Sequence, residues 1–231
     1  MHEAHSFLFG PVNHLLHSLL GFDIPDHVIM GAFILLLLAI FMPLVKRRIS
    51  VESPGTIQHT LEVLIDGLTG LMEDVIGHGQ ARTYLAFIGA LTFFVFLSNI
   101  CGLFFFLNPP TANPNTTFAL SLTAFFFYNV EGIRKHKFGY IKQFLGPMVA
   151  VAVIIFPVEI ISHLVRALSL GLRLFGNIFG EHTVSSIIAG AVPIVVPWPM
   201  MLLGIVAAVM QTFIFIMLTM AYIGGAVGEE H

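Results

Sequence analysis

Residues 147–192 read PMVAVAVIIFPVEIISHLVRALSLGLRLFGNIFGEHTVSSIIAGAV, a long apolar stretch interrupted at intervals by polar side chains. At about 100° per residue, the turn of an α-helix, all the polar groups from residue 159 to residue 181 fall within an arc of about 120°. These groups are Glu159, Ser162, His163, Arg166, Ser169, Arg173, Asn177 and Glu181. The stretch therefore predicts a membrane-embedded helix with one side that faces water or another protein.

Arg173 lies deep in this stretch, with apolar sequence on both sides. A charge at the bilayer centre costs at least ~2.5 kcal/mol, so it needs a partner. The residues three and four positions away, which share its side of a helix, include no acid. We expect the counter-ion to belong to another chain, with a long-range pair to Glu159 or Glu181 left open. Arg166 either belongs to the same polar side or extends to the lipid headgroups.

Three glycines, Gly171, Gly176 and Gly180, recur around Arg173. Small residues allow two membrane helices to approach closely. The neighbouring helix belongs either to this chain or to a partner. A partner helix beside Arg173 would account for both the glycines and the unpaired charge.

The rest of the chain has the composition of a membrane protein. Of its 231 residues 57% are hydrophobic and 10% are charged, whereas soluble domains have about 25% charged residues. At ~20 residues per span, the apolar stretches predict membrane helices at 28–45, 83–107, 116–130, 147–192 and 200–226. The predicted fold class is all-α and polytopic, a single membrane domain over 1–231 with about five to six membrane-embedded helices.

Residues 53–80 predict a helix of another kind, with apolar residues on one face and acidic residues on the other. Such a helix lies on the membrane surface. In this arrangement the lysines and arginines outside the long stretch 147–192 all fall on one side of the membrane. By the positive-inside rule that side is cytoplasmic, as are the helix at 53–80 and the C-terminus, and the N-terminal segment 1–27 lies outside.

Several functional classes are excluded by the sequence. A net charge of −3 offers no basic surface for nucleic acid. The single cysteine, Cys101, cannot form an internal disulfide and is not part of a metal-ligand pattern, and we expect no metal or cofactor. The spans contain no nucleophile–base pair or paired metal ligands for a hydrolase. A secondary ion transporter is the alternative function, although no inverted repeat or second charged span supports it.

The sequence SLGLRLFGN at 169–177 resembles the signature of subunit a of F-type ATP synthases, of the bacterial type. The sequence QTFIF at 211–215, followed by LT at 218–219 and by Tyr222, resembles the last helix of that family. PTAN at 110–113 resembles its outer loop, and Asn99 matches a residue of its second span. Because the order and spacing of these segments agree, the likeness extends over nearly the whole chain.

The resemblance implies a non-catalytic stator subunit of the bacterial inner membrane that couples proton flow to rotation of a ring of c subunits and to ATP synthesis. It implies that Arg173 faces the ring carboxylates and that a long tilted pair of helices lies beside the ring. The implied partners are the c ring, the b-subunit peripheral stalk, the remaining ATP synthase subunits, the lipid bilayer and the translocated H+. The residues that it assigns to the proton path besides Arg173 are Asn177, Gln211, Glu159, Ser162, Ser169, Tyr222, Asn99 and His182.

One position departs from the family pattern. The family often has an ionisable residue about two helical turns before the glutamine of the last span, and this chain has Gly204 there. Glu181, next to His182, is our candidate for the missing group and completes the predicted proton path.

Overall fold

The computed structural model describes residues 25–50, 55–103, 109–137, 149–191 and 197–228. Its elements are α1 (Asp26–Arg48), α2 (Thr56–Ile76), α3 (Ala81–Cys101), a 3-10 turn (Pro110–Ala112), α4 (Pro114–His136), α5 (Val149–Ala191) and α6 (Pro197–Val227). All regular elements in these ranges are helical, which confirms the all-α prediction. Most of the predicted outer segment 1–27 lies outside the described residues.

Four of the helices described, α1, α3, α5 and α6, are long and apolar enough to cross a membrane. The chain is therefore a multi-pass membrane protein, as predicted. The 23 residues of α4 are also long enough, but this helix is more polar and is not among the four. Its buried positions recur every three or four residues, so one face of α4 packs on the other helices. They are Thr117, Ser121, Ala124, Tyr128 and Gly132.

The longest helix, α5, has 43 residues. At 1.5 Å per residue it is about 64 Å long, roughly twice the ~30 Å thickness of the hydrocarbon core. It fits within the hydrocarbon core only if it is inclined to the membrane normal. The helix α6, with 31 residues, runs antiparallel beside it, since Asn177 contacts Gln211 and Glu181 contacts Gly204. These two helices, which lie side by side, are the longest in the described structure.

Side-chain contacts identify which helix ends lie together. At one end of the bundle, Asn113 Nδ2 lies 3.1 Å from Nδ1 of His27, so the start of α1 is next to the connection between α3 and α4. At the other end, Lys135 Nζ donates to the backbone oxygen of Val227 at 2.7 Å and joins the ends of α4 and α6. The basic residues that end α4 are thus at the same end of the bundle as the end of α6.

The amphipathic helix α2 is attached to this same end. Gln58 accepts a hydrogen bond from the backbone N–H of Ser50 at 3.0 Å and donates to its carbonyl at 3.1 Å. Met72 and Ile76 are buried against the bundle. The large apolar side chains that remain exposed are Ile57, Val63, Leu64 and Ile65. These exposed residues suit a helix that lies on a membrane surface.

Candidate functional site

Burial separates two sides of α5 around Arg173. Its buried side packs on α4 and α6 and consists of Ala167, Leu170, Leu174 and Ile178. Ser169, Arg173 and Asn177 are exposed on the opposite side. Because this side is not covered by the helices described here, Arg173 lies on the outer surface of the bundle.

Arg173 forms no ion pair or hydrogen bond with any residue in the described ranges. Glu159 and Glu181 lie about 21 Å and about 12 Å from it along the helix axis, too far for direct pairing. The internal pair that the sequence left open is therefore not formed. Apart from Ser169, Gly176 and Asn177, the exposed residues on this part of the surface are large and apolar, including Leu168 and Leu172 on α5 and Met210 and Phe213 on α6. The arginine is thus a single charge in an apolar surface.

One helical turn from Arg173, an amide pair joins α5 to α6. Asn177 Nδ2 donates a hydrogen bond to Gln211 Oε1. Gln211 is 2% exposed, and its Nε2 has no hydrogen-bond partner among the described residues. The buried amide therefore retains donor capacity beside the exposed face that carries Arg173.

A second polar contact joins α6 to α3. Asn99 Nδ2 donates to Thr212 Oγ1 at 3.2 Å, and the threonine hydroxyl donates to the carbonyl of Ala208 at 2.7 Å. Both Asn99 and the adjacent Ser98 are buried, and within the described ranges Asn99 Oδ1 and Ser98 Oγ have no hydrogen-bond partner. The polar groups thus continue from the α5–α6 interface into the bundle.

Towards the end of α5 beyond Asn177, Glu181 lies against Gly204 of α6. A Cβ added at Gly204 would collide with Glu181 Oε1 and lie 2.6 Å from Leu103 Cδ2. Gly204 therefore leaves the space that the Glu181 carboxylate occupies. The side chain of His182 lies outside the described part of the structure.

At the other end of α5, a polar cluster links three helices. His163 Nε2 lies 3.3 Å from Glu159 Oε1, and its Nδ1 lies 3.0 Å from the hydroxyl of Tyr128 on α4. The ring of Tyr222 on α6 lies 5.8 Å from the ring of Tyr128, and the guanidinium carbon of Arg166 lies 6.0 Å from the Tyr222 ring centre. Arg166 thus contacts an aromatic face of its own chain.

The predicted site residues form a line rather than one pocket. One end of the bundle, which carries Lys135, also carries Glu159, Ser162 and Tyr222. The middle of the exposed face carries Arg173 and Ser169. Glu181 lies towards the opposite end of the bundle. Asn177, Gln211 and Asn99 extend from the exposed face into the interior. Tyr128 was not among the predicted site residues, although a tyrosine in an apolar helix usually has a hydrogen-bond partner for its hydroxyl. Among the described residues, no group of three or more His, Cys, Asp or Glu could hold a metal ion.

The three glycines of α5 have different surroundings. A Cβ at Gly171 would lie 2.8 Å from Ser121 Oγ and 2.9 Å from Phe118 Cδ1, so this glycine permits close contact with α4. Gly176 and Gly180 have no described atom within 4 Å of a built Cβ. Gly171 therefore serves packing within the chain, and the predicted approach of a partner helix applies to Gly176 and Gly180 only.

Comparison with known proteins gave consistent matches. A family model described as ATP synthase A chain matches residues 28–224. ATP synthase subunit a 1 of Syntrophotalea carbinolica is 42% identical over 235 residues, which cover 99% of this chain and 100% of the relative. ATP synthase subunit a of a Sulfurihydrogenibium species is 39% identical over 207 residues, 89% of this chain and 99% of the relative. A Geobacter sulfurreducens ATP synthase subunit a is 42% identical over 178 residues, 77% of each chain. The family match includes the whole line of polar residues from Glu159 to Tyr222.

Proposed function

This chain belongs to the ATP synthase A chain family, and we propose that it conducts protons between the membrane surfaces and a ring of c subunits that turns beside it. The observation that carries the proposal is Arg173, a membrane-embedded charge that lies exposed on α5 without a partner in the described chain. Such a charge needs a counter-ion. A carboxylate on each c subunit, presented in turn as the ring rotates, would supply it.

Arg173 acts in this mechanism as a fixed positive charge. Arginine stays protonated, so it can attract a carboxylate but cannot relay a proton. A ring carboxylate in lipid is neutral because burial disfavours its charge, whereas beside Arg173 the ionised form becomes favourable and the proton leaves. The same positive charge repels protons and so prevents direct flow between the two sides of the membrane.

The line of polar residues then provides two half-channels. The outer one comprises Glu181, His182, Asn99 and the Asn177–Gln211 amide pair. Buried polar atoms are usually hydrogen-bonded to protein or to water. Three buried atoms lack a protein partner among the described residues and are therefore suited to bind water on this path. They are Asn99 Oδ1, Ser98 Oγ and Gln211 Nε2. The inner half-channel comprises Ser169, Ser162, Glu159 and Tyr222.

The direction of transport follows from the membrane potential. Each proton that moves inward, down the membrane potential, releases ~2.3 kcal/mol of free energy per 100 mV. A proton that enters from outside protonates a ring carboxylate, travels round with the ring through lipid, and leaves at the inner side when that carboxylate reaches Arg173. Several protons per ATP therefore suffice to drive synthesis at the catalytic sector, and this subunit itself catalyses no bond-making step. The b-subunit peripheral stalk, which would hold the subunit against the turning ring, is a further proposed partner.

A direct test of the ring contact uses cysteine cross-linking in the assembled complex. In a Cys101→Ser background, we expect Ser169→Cys and Leu172→Cys to form disulfides with cysteines placed along the outer c-subunit helix, because both positions are exposed beside Arg173. Leu170→Cys is the matched control, since its side chain is 2% exposed and faces the bundle. Efficient cross-linking from Leu170→Cys with none from Ser169→Cys would refute the proposed contact.

The orientation in the membrane is proposed from the basic residues, which put the N-terminus outside and the C-terminus in the cytoplasm. With Cys101→Ser as the background, Lys135→Cys should react with an impermeant thiol reagent from the cytoplasmic side only. Asn113→Cys should react from the outside only, because it lies beside His27 at the opposite end of the bundle. Labelling of both positions from the same side would contradict the topology.

A further inference from the structure

Tyr128, His163 and Glu159 form a continuous chain of contacts from α4 to α5. Tyr128 Oη lies 3.0 Å from His163 Nδ1, and His163 Nε2 lies 3.3 Å from Glu159 Oε1. Both ring nitrogens are thus engaged, each by a different kind of group. A neutral imidazole has one donor and one acceptor nitrogen. A hydroxyl on one side and a carboxylate on the other suit the tautomer in which Nε2–H faces Glu159 and Nδ1 accepts from Tyr128.

Exposure increases along this chain of contacts. Tyr128 is 2% exposed, the side chain of His163 is 14% exposed, and that of Glu159 is 34% exposed. The three groups therefore lead from the interior of the bundle towards its surface. A histidine that merely joined α4 to α5 would need the contact with Tyr128 but not the second contact with a more exposed acid.

The other charged and titratable groups around His163 come from α5 and α6. Arg166 lies one turn further along α5, and Tyr222 contributes from α6 a ring that contacts both Tyr128 and Arg166. Glu159 offsets the repulsion between Arg166 and a protonated His163. Burial and Arg166 both disfavour the charged imidazole, so an extra proton stays on His163 only briefly, and the Glu159 carboxylate lies beside it to receive that proton.

We propose that His163 carries protons in the inner half-channel, receiving them on the side of Tyr128 and releasing them to Glu159. This inference rests on the proposed function of the chain and extends it to a residue outside the predicted path. The Tyr128 hydroxyl gives its proton to Nδ1 and takes up the arriving proton, so His163 becomes an imidazolium. The Nε2–H bond then breaks, the proton bonds to Glu159 Oε1, and the carboxyl group releases it to water. The imidazole of His163 is left neutral with its proton on Nδ1, and exchange of this proton with water restores the first tautomer.

The test measures ATP-driven proton pumping by the whole complex in inverted vesicles, with subunit levels checked by immunoblot. We expect His163→Ala to slow pumping by about tenfold, less than the ~10²-fold typical of a positioned proton-transfer group, because water can partly replace the ring. The pH dependence of the remaining rate should become flatter between about pH 5 and pH 8, where histidines change charge. Added imidazole should restore much of the rate, since a small diffusible base can replace a proton carrier but not a structural link. His59→Ala, on the exposed face of α2, is the matched control and should pump normally.

Tyr128→Phe provides a second measurement that does not depend on how the chain tolerates the loss of a histidine. It keeps the ring and removes only the hydroxyl, so pumping should fall several-fold, while Tyr84→Phe, at another buried tyrosine, should leave it unchanged. An assembled His163→Ala complex with an unchanged rate and pH profile would overturn the inference, as would a defect that imidazole does not relieve. If Arg173→Ala in the same assay also pumps normally, the proposed function itself fails. If Arg173→Ala is inactive, only the role of His163 is refuted.

Discussion

Arg173→Ala should abolish ATP-driven proton pumping and proton-driven ATP synthesis while leaving assembly of the complex largely intact. The side chain is exposed and has no partner among the described residues, so its removal leaves the helix packing undisturbed. Without the charge, the ionised ring carboxylate is no longer favoured at the interface and the half-channels are no longer separated. We expect a loss of at least ~10²-fold, the usual consequence of removing a pre-organised charge-stabilising group. Proton pumping in inverted vesicles, with subunits quantified by immunoblot, measures it.

Two further variants sharpen this result. Arg173→Lys keeps a positive charge but replaces the planar guanidinium with a compact, strongly hydrated ammonium that loses its proton more readily when buried, so we expect it to fail as well. Leu172→Ala, at the adjacent exposed position, controls for lost surface area and should retain most of the activity. Coupled pumping at the normal rate by an assembled Arg173→Ala complex would overturn the mechanism.

Glu181→Gln should slow proton entry from the outer side by about tenfold or more, towards the ~10²-fold typical of a positioned proton-transfer group. The amide keeps the shape of the side chain against Gly204 but cannot bind and release a proton at the required rate. Proton uptake driven by an imposed pH gradient across proteoliposomes that contain the complex measures this step directly. Glu131→Gln removes a carboxylate at the end of α4 that carries Lys135. In the described contacts Glu131 pairs only with Arg134, so this variant should leave uptake unchanged.

The contact with Gly204 allows a second form of the same test. Gly204→Ala would place a methyl group where Glu181 Oε1 now lies and close to Leu103, so the carboxylate must move. We expect reduced uptake with Glu181 still present. If Glu181→Gln and Gly204→Ala both take up protons at the normal rate, Glu181 is a packing residue and the outer half-channel relies on His182 and other groups.

The sequence determined the helical class and the isolation of Arg173. Long apolar stretches with a 3.6-residue polar period can satisfy their backbone hydrogen bonds in lipid only as helices. The neighbours of Arg173 along its own helix follow from that period, so the order of residues alone shows that no acid lies one turn away. The nine-residue segment around it was sufficient to indicate the family.

Tertiary packing alone decided which neighbours contact each of the polar residues between Glu159 and Glu181 on α5. The helical period assigned all of these polar side chains to one arc of the helix, but it contains no information about where α4 and α6 lie relative to that arc. Packing divides these polar residues, because α4 brings Tyr128 to His163, while the side with Arg173 and Asn177 remains exposed. Likewise, the sequence could name Glu181 as a replacement for the group absent at Gly204, but only the antiparallel pairing of α5 and α6 brings the two positions into contact. Such contacts join residues far apart in the chain, and their geometry depends on helix crossing and side-chain volume rather than on local periodicity.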